Sequence, residues 1–177
     1  MNLKTKKLFF TIFILFVFLL GFYLGGENKQ VFDNKENTEI IKYEEQKIYK
    51  VLDVIDGDTI KINYYNNLVS LRVIGINTPE KEGSLREQEC FGNEASDKAE
   101  ELLFDKNIFI ELDESQSKFD KYGRLLAYVF FENGDDFGLE MIESGFAYEY
   151  TYQGREYKNQ NIYKEAQKYA EKNQLGL

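Results

Sequence analysis

Histidine is absent from this chain of 177 residues, and cysteine and proline occur once each. Without histidine, the sequence excludes a Ser-His-Asp triad and a histidine-ligated zinc site. The single cysteine, Cys90, excludes an internal disulfide, so the fold must be stabilised by packing. Because Cys90 has no histidine to act as its base, we interpret it as a small, semi-buried structural thiol and not as a nucleophile.

Positive charge is also scarce, because 22 lysines and arginines face 31 carboxylates and the net charge is −9. This balance argues against salt-driven adhesion to nucleic acid, which normally uses a basic face. A polyanionic substrate is still compatible with the sequence if a bound cation and local arginines invert the field at one site. We therefore expect weak binding without metal. The simpler interpretation is that the acidic surface keeps an exported protein soluble.

The first 26 residues have the pattern of a signal peptide or a membrane anchor. Three lysines precede an almost unbroken apolar run over residues 8–24, which as a helix would reach about 25 Å. A buried core helix is disfavoured because the run has no polar face. No clear Ala-x-Ala cleavage site follows, so we favour an anchor that leaves the rest of the chain outside the cytoplasm, with cleavage near Gly25-Gly26 as the alternative.

Residues 27–46 are polar, charged and poor in aromatics, which predicts a flexible linker. Residues 47–177 are enough for one domain. The chain contains 13 tyrosines and 15 phenylalanines, and this aromatic content supports a packed core.

Hydrophobic periodicity predicts five strands and three helices in this domain. The strands are expected at 48–55, 59–65, 68–76, 107–112 and 124–131, with a tight turn at Asp56-Gly57. The helices are expected from near Asn93, at 137–143 and at 156–172. Their apolar stripes are Ala95, Ala99, Leu102 and Leu103 in the first helix and Ile162, Ala166, Tyr169 and Ala170 in the last. Five short strands with a helix after the third predict an α+β fold, mainly β: a five-stranded OB-type barrel with three helices, preceded by the N-terminal hydrophobic helix.

Four charged residues fall at strand ends or in loops that such a barrel could bring together: Asp58, Arg72, Glu80 and Arg124. Each is unremarkable alone, since Asp-Gly is a common hairpin turn and a strand arginine needs no explanation. As a set, they supply what metal-assisted phosphodiester cleavage requires. A carboxylate can hold a hard cation, a second can activate or orient water, and two guanidiniums can clamp a phosphate.

In these motifs the sequence resembles the staphylococcal (micrococcal) nuclease, or thermonuclease, family. The resemblance runs from about residue 48 to residue 175. It rests on Asp-Gly-Asp-Thr ending at Thr59, Thr-Pro-Glu ending at Glu80, and Asp-Lys-Tyr-Gly-Arg ending at Arg124. The steps from Asp58 of 14 residues to Arg72, 22 to Glu80 and 66 to Arg124 agree with the spacing of the family. The resemblance implies an OB barrel with three helices and Ca²⁺-dependent hydrolysis of DNA and RNA.

The resemblance also implies a role for each metal-binding position. Asp58 corresponds to a direct Ca²⁺ ligand, and Thr78 supplies its backbone carbonyl to the same ion. Asn77 stands where the family usually has a second aspartate. An amide oxygen can coordinate Ca²⁺ but carries no charge, so we expect weaker affinity and not lost coordination. Asn77 could instead cap the loop through a side-chain hydrogen bond.

The catalytic roles follow in the same way. Glu80 corresponds to the residue that holds the attacking water, as general base or mainly to orient it, while Arg72 and Arg124 bind the scissile phosphate. Tyr122 corresponds to a residue of the nucleotide pocket. A second tyrosine contact is expected from Tyr148, Tyr150 or Tyr152, and for Tyr148 we favour packing under the last helix. We therefore expect Tyr122, Tyr150 and Tyr152 to contact the substrate.

Three functions compete at this level. We favour a Ca²⁺-dependent nuclease that acts as a monomer on DNA and RNA, secreted or held at a membrane by its N-terminal segment. The alternatives are a catalytically inactive barrel that binds nucleic acid or protein, and a structural surface protein whose anchor is its main purpose. Glu80 together with both arginines favours the enzyme, because a binding module does not need all three beside a metal ligand.

Overall fold

The computed structural model describes residues 47–83 and 87–177. The signal peptide or anchor and the linker predicted over residues 1–46 lie outside the described residues. Within the two described segments, none of the helices combines the length and the apolar character needed to cross a membrane.

Five strands close into a barrel, as the sequence predicts. The strands are β1 (Tyr49–Asp56), β2 (Thr59–Tyr64), β3 (Asn67–Val73), β5 (Asn107–Glu111) and β6 (Leu125–Phe131). Their order around the barrel is β1-β2-β3-β6-β5, and β1 also pairs with β5 to close it. β3 and β6 run parallel, and the other pairs are antiparallel. This architecture confirms the predicted OB-type barrel.

The barrel closes around side chains that alternate along its strands. Ile60 and Ile62 of β2 and Leu71 and Val73 of β3 are buried, while Lys61 between the first two is half-exposed. The period of two places every second residue in the interior. The predicted strand pattern is therefore the pattern of the core.

Three helices pack outside the barrel: α1 (Gly92–Leu103), α2 (Phe137–Glu143) and α3 (Gln160–Lys172). α1 packs on β1 through its predicted stripe, of which Ala95, Ala99 and Leu103 are fully buried. α2 has the predicted bounds. It begins after Asp136, whose side chain accepts a hydrogen bond from Leu139 N, and it ends just before Gly145.

The third strand is shorter than predicted because the chain turns at Gly75. β3 ends at Val73, and Gly75 has a φ of 81°, a left-handed conformation that favours glycine. A Cβ at Gly75 would also lie 2.6 Å from the ring of Tyr157. After this turn, β4 (Ile76–Asn77) pairs with β7 (Tyr148–Glu149) in a second, two-stranded sheet that the sequence did not predict. The Thr-Pro-Glu segment therefore follows a strand that is not part of the barrel.

The prediction for the last helix was wrong in its start and in part of its stripe. α3 begins at Gln160, and Ile162 and Tyr169 are 48% and 56% exposed. The buried face consists of Tyr163, Ala166 and Ala170. Tyr163 can be buried because its hydroxyl donates to the Asp136 carboxylate at 2.8–2.9 Å, which satisfies its polar end.

Two smaller expectations also differ from the structure. Cys90 is exposed, not semi-buried, because it lies in the turn that precedes α1. The β1–β2 turn consists of Gly57 and Asp58, one residue later than predicted. Asp58 therefore stands in the turn itself.

Candidate active site

One cleft of about 420 Å³ receives every residue predicted to act on metal or substrate. It lies between the β1–β2 turn, the chain from Arg72 to Glu80, the loop before β6, and the segment after β7. The predicted residues on its wall are Asp58, Arg72, Asn77, Thr78, Glu80, Tyr122, Arg124, Tyr150 and Tyr152. Residues up to 94 positions apart in the chain thus share one surface, although their individual roles stay predictions.

Asp58 is buried and held by four donors. Its Oδ2 accepts from Thr78 N at 3.0 Å and Thr78 Oγ1 at 3.3 Å, and it lies 2.9 Å from Arg72 Nη2. Its Oδ1 accepts from Thr59 Oγ1 at 3.0 Å. The adjacent Gly57 permits this arrangement, because a Cβ there would lie 2.6–2.8 Å from the Thr78 side chain. The carboxylate is therefore fixed in position before any ligand binds.

A second carboxylate, Asp56, lies beside Asp58 and lines the same cleft. Its Oδ1 accepts from Asp58 N at 3.1 Å. Burial, followed by the negative charge of Asp58, raises the pKa of Asp56 to about 6. Asp56 belongs to the Asp-Gly-Asp-Thr motif, but the sequence alone predicts no role for it. Its two-residue separation from Asp58 across a hairpin turn was the signal that could have found it.

Arg72 is enclosed by acceptors at the base of the cleft. Nη1 donates to the carbonyls of Val73 at 3.0 Å and Ile76 at 2.9 Å, and Nη2 donates to Asn77 Oδ1 at 3.2 Å. The side chain is only 12% exposed. Since Nη2 also pairs with Asp58, a single guanidinium joins the β1–β2 turn to the strand β4.

The oxygen atoms around Asp58 are a suitable donor set for a hard cation. Two neighbouring carboxylates, Asp56 and Asp58, lie on the same wall as the Asn77 amide and the Thr78 backbone. Ca²⁺ prefers such oxygen ligands, and a cation would offset both the burial and the charge of Asp58 that raise the pKa of Asp56. Within residues 47–83 and 87–177, no group of three or more acidic, histidine or cysteine side chains converges on a metal site. A cation here would thus depend on neutral oxygens as well as carboxylates.

Glu80 is half-buried, and its backbone is fixed at two points. Its amide donates to Glu89 Oε2 at 3.0 Å, and its carbonyl accepts from Glu89 N at 2.9 Å. Gly92 at the start of α1 packs directly on this carbonyl, since a Cβ there would lie 2.1 Å from the Glu80 oxygen. The helix therefore determines where Glu80 enters the cleft.

Arg124 approaches the cleft from the opposite loop. Asp120 accepts from its backbone N at 2.9 Å and from Nε at 2.7 Å, and the guanidinium lies 5.4 Å from the ring centroid of Tyr122. Burial alone would raise the pKa of Asp120, but these hydrogen bonds and the hydrogen bond from Tyr122 N lower it. Within the described chain, the terminal nitrogens of Arg124 have no hydrogen-bond partner, so they can donate to an anion in the cleft. Asp120 is a positioning residue that sequence reasoning missed.

Aromatic residues form the outer wall. Tyr122 is 67% exposed, and Tyr150 and Tyr152 are 43% and 45% exposed, with ring centroids 6.4 Å apart. Tyr148 is 45% exposed and does not line the cleft, and its packing under the last helix stays a prediction. It projects from β7, where the unpredicted pairing with β4 sets its direction. Arg155 also lines the cleft and was not predicted.

Comparisons with known proteins indicate the family of this chain. The family profile described as Staphylococcal nuclease homologue matches residues 70–177. The chain is 35% identical over 127 residues to a thermonuclease of Staphylococcus hyicus, covering 72% of this chain and 73% of the relative. It is 32% identical over 165 residues to a thermonuclease of Staphylococcus intermedius, covering 93% and 91%. It is also 32% identical over 116 residues to endonuclease YncB of Bacillus subtilis, covering 65% and 54%. With the profile match extending over more than half of its length, this chain belongs to the staphylococcal nuclease homologue family.

Proposed function

We propose that this protein is a Ca²⁺-dependent nuclease that hydrolyses phosphodiester bonds in DNA and RNA. The observation that carries the proposal is the gathering of Asp58, Glu80, Arg72 and Arg124 in a single cleft. Membership of a family with thermonuclease relatives supports the same activity. An arrangement of two carboxylates and two guanidiniums has no use in a merely structural barrel.

The two arginines have different tasks in this proposal. Arg124 offers its terminal nitrogens to the scissile phosphate, while Asp120 holds Nε and so fixes the plane of the guanidinium. Arg72 lies deeper and keeps Asp58 and Asn77 in place, and its positive charge is close enough to the cleft to act on the phosphate. Charge that develops on the phosphate in the transition state is stabilised by both residues.

Glu80 holds and orients the attacking water and can accept its proton. Its backbone is fixed by Glu89 and by α1, which limits the positions that its carboxylate can adopt. Such preorganisation matters because a positioned base contributes about 10²–10⁴-fold to a rate.

Asp58, Asn77 and Thr78 would hold the cation, with Asp56 close enough to add negative charge. When bound, Ca²⁺ supplies Lewis-acid polarisation of a phosphoryl oxygen and brings positive charge to a cleft in an acidic protein. Among the ligands, Asn77 provides an uncharged oxygen, which is consistent with moderate affinity.

Tyr122, Tyr150 and Tyr152 are proposed to contact the nucleotide. Stacking on an aromatic ring does not depend on the sugar, which fits a nuclease that accepts both DNA and RNA. The N-terminal pattern of lysines and apolar residues supports action outside the cytoplasm, either secreted or tethered to the membrane, and we propose that the protein acts there as a monomer.

The test is hydrolysis of DNA and RNA by the full chain, with Ca²⁺ and with a chelator, and again with Glu80→Gln. We expect turnover only with Ca²⁺ and a loss of at least about 10²-fold in Glu80→Gln. Thermal unfolding of both proteins, with and without Ca²⁺, controls for folding and reports metal binding independently of turnover. Binding of nucleic acid without any turnover would instead identify an inactive binding module.

A further inference from the structure

A group of aromatic residues and lysines at one end of the barrel has no role in the mechanism proposed above, although one member, Phe119, also lines the cleft. The group consists of Lys47, Tyr64, Tyr65, Lys118 and Phe119, and we name it the aromatic–lysine surface. Tyr65 is 62% exposed and Phe119 is 43% exposed, while Tyr64 is half-buried against the core. Large exposed rings on one surface of a small domain often mark an interaction site.

Lysine ammonium groups lie against these rings. Lys47 Nζ is 4.0 Å from the centroid of Tyr65, and Lys118 Nζ is 5.3 Å from that of Tyr64 and 5.6 Å from that of Phe119. Tyr64 and Tyr65 meet edge to face at 4.7 Å. Lys118 thus connects Phe119 to the tyrosine pair, and the rings form a continuous series.

Among the residues that the structure describes, these two lysines differ from their neighbours in their ion pairing. Within the described residues, neither Lys47 nor Lys118 forms an ion pair, whereas Lys50 and Lys61 on the neighbouring strands pair with Asp105 and Asp53. Although the chain has a net charge of −9, these two lysine ammonium groups and the exposed rings beside them form a local surface that suits a ligand with both anionic and planar groups.

The backbone that presents Tyr65 has an uncommon conformation. Tyr65 and Asn66 have φ of 48° and 65° and form the two-residue turn between β2 and β3. Asn-Gly and similar pairs are usual in such turns, and a bulky residue at positive φ is costly. The pairing of Tyr64 with Asn67 and the hydrogen bond from Asn67 Nδ2 to Tyr65 O at 3.1 Å hold the turn. Strain of this kind is retained where a side chain has a function.

The surface continues into the cleft. Phe119 lines the cleft that contains Arg124, and it pairs with Leu125 at the start of β6. Lys118 is fixed by the hydrogen bond from Leu126 N to its carbonyl at 3.0 Å. A substrate strand that leaves the cleft past Phe119 would therefore meet Lys118, Tyr64 and Tyr65 next.

We propose that the aromatic–lysine surface binds single-stranded nucleic acid that extends from the active-site cleft. Bases stack on the rings, and the lysines face the phosphates between them. A single strand is favoured over a duplex because the faces of its bases are free to stack on protein. This inference rests on the proposed nuclease function and adds a contact surface outside the cleft that only longer substrates reach.

The experiment compares long and short substrates on the double variant Tyr65→Asn, Lys118→Gln. Asparagine tolerates the left-handed turn, and glutamine removes the charge while keeping most of the chain length. We expect KM for a single-stranded oligonucleotide of about 20 nucleotides to rise on the order of tenfold. kcat and KM for a trinucleotide, which fills only the cleft, should change less than about twofold.

A matched control is Tyr169→Asn with Lys168→Gln on α3, where both side chains are exposed. This control should leave the KM of the long substrate unchanged. The same increase in the control, no increase in the test variant, or an equal loss on the trinucleotide would overturn the proposal. The proposal would also be overturned if the test variant lost its binding to vesicles of anionic lipid but kept its affinity for the long oligonucleotide.

Fluorescence anisotropy with a non-cleavable single-stranded oligonucleotide separates this proposal from the nuclease function. If the wild-type chain cleaves nothing, the nuclease proposal fails. Weaker binding by the test variant alone would still support the surface, and equal binding by wild type and both variants would refute it. Unfolding temperatures of all three proteins show whether the turn tolerates the substitution.

Discussion

Arg72 has two tasks in the proposed mechanism. It pairs with Asp58 and donates to Asn77 and to two backbone carbonyls, so it would organise the proposed metal-binding side of the cleft as well as add positive charge. We expect Arg72→Lys to lower kcat by about 10²–10³-fold, because the compact lysine ammonium group cannot replace a planar guanidinium that donates to several acceptors. Steady-state kinetics measures this effect, and circular dichroism checks the fold. Turnover near that of the wild type would remove Arg72 from the mechanism.

Asn77 offers a substitution that should improve metal binding. Asn77→Asp adds a charged oxygen where the amide now accepts from Arg72. We expect the Ca²⁺ concentration for half-maximal activity to fall on the order of tenfold, since ligand charge tunes Ca²⁺ affinity. The Ca²⁺-induced rise in unfolding temperature should appear at correspondingly lower concentrations. An unchanged or higher Ca²⁺ requirement would show that Asn77 is not a ligand.

At the residue scale, the sequence motifs named the groups that share the cleft but not the groups that orient them. Asp58 and Arg124 could be found because their motifs and spacing are specific. Asp120 and Asp56 were not predicted as site residues because their contribution depends on turn geometry. Asp120 accepts a hydrogen bond from Arg124 Nε, and Asp56 lies beside Asp58. Hydrophobic periodicity does not predict which side chain accepts a hydrogen bond within a turn.

At the scale of elements, α1 matters for the site because its first residue packs on the Glu80 loop. A Cβ on Gly92 would meet the Glu80 carbonyl at 2.1 Å, and backbone cannot move aside as a flexible side chain can. Gly92→Ala should therefore displace Glu80 and lower kcat by about tenfold or more, since small misplacements of catalytic groups are costly.

Glu94→Ala is the matched control for Gly92→Ala, because it adds alanine at an exposed position of the same helix. It should leave kcat unchanged, and kinetics with parallel thermal unfolding distinguishes the two variants. If Gly92→Ala lost stability but kept full kcat, the helix would support the fold without positioning Glu80.

Elements with a strong repeating pattern were predicted well, and those made by tertiary contacts were not. The alternation in β2 and the stripe of α1 gave the core positions directly. β4 and β7 contain two residues each, too few for any periodicity, and exist because Gly75 turns the chain towards β7. Tyr163 was missed on the buried face because its burial depends on Asp136 as a distant acceptor.

At the scale of the whole molecule, a buried carboxylate joins the barrel to the C-terminal segment. Asp113, which follows β5, accepts from Tyr128 Oη of β6 at 2.6 Å and from Lys158 N at 2.9 Å. Ser115 adds two further hydrogen bonds to it. The segment fixed through Lys158 includes Arg155 and Tyr157 of the cleft wall. The integrity of the site thus depends on a contact outside it.

This network makes stability depend on pH. Burial alone would raise the pKa of Asp113, but the hydrogen bonds from Lys158, Ser115 and Tyr128 hold this pKa below its usual value of 3.8. A carboxyl whose pKa is lower in the folded state contributes stability that is complete above the unfolded pKa. That contribution is lost as pH falls through the folded pKa.

Asp113→Asn should therefore destabilise the protein at pH 7 by roughly 1.5–3 kcal/mol, the range for hydrogen bonds to a charged group. The difference from wild type should persist down to about pH 4 and shrink below it, as Asp113 in the wild-type protein becomes protonated. Urea unfolding between pH 7 and pH 2 measures both free energies. Asp105→Asn on the exposed Lys50–Asp105 pair is the control and should cost about 0–1 kcal/mol at pH 7. A difference for Asp113→Asn that stays constant to pH 2 would mean that its hydrogen bonds do not depend on the charge, and that packing alone fixes the C-terminal segment to the barrel.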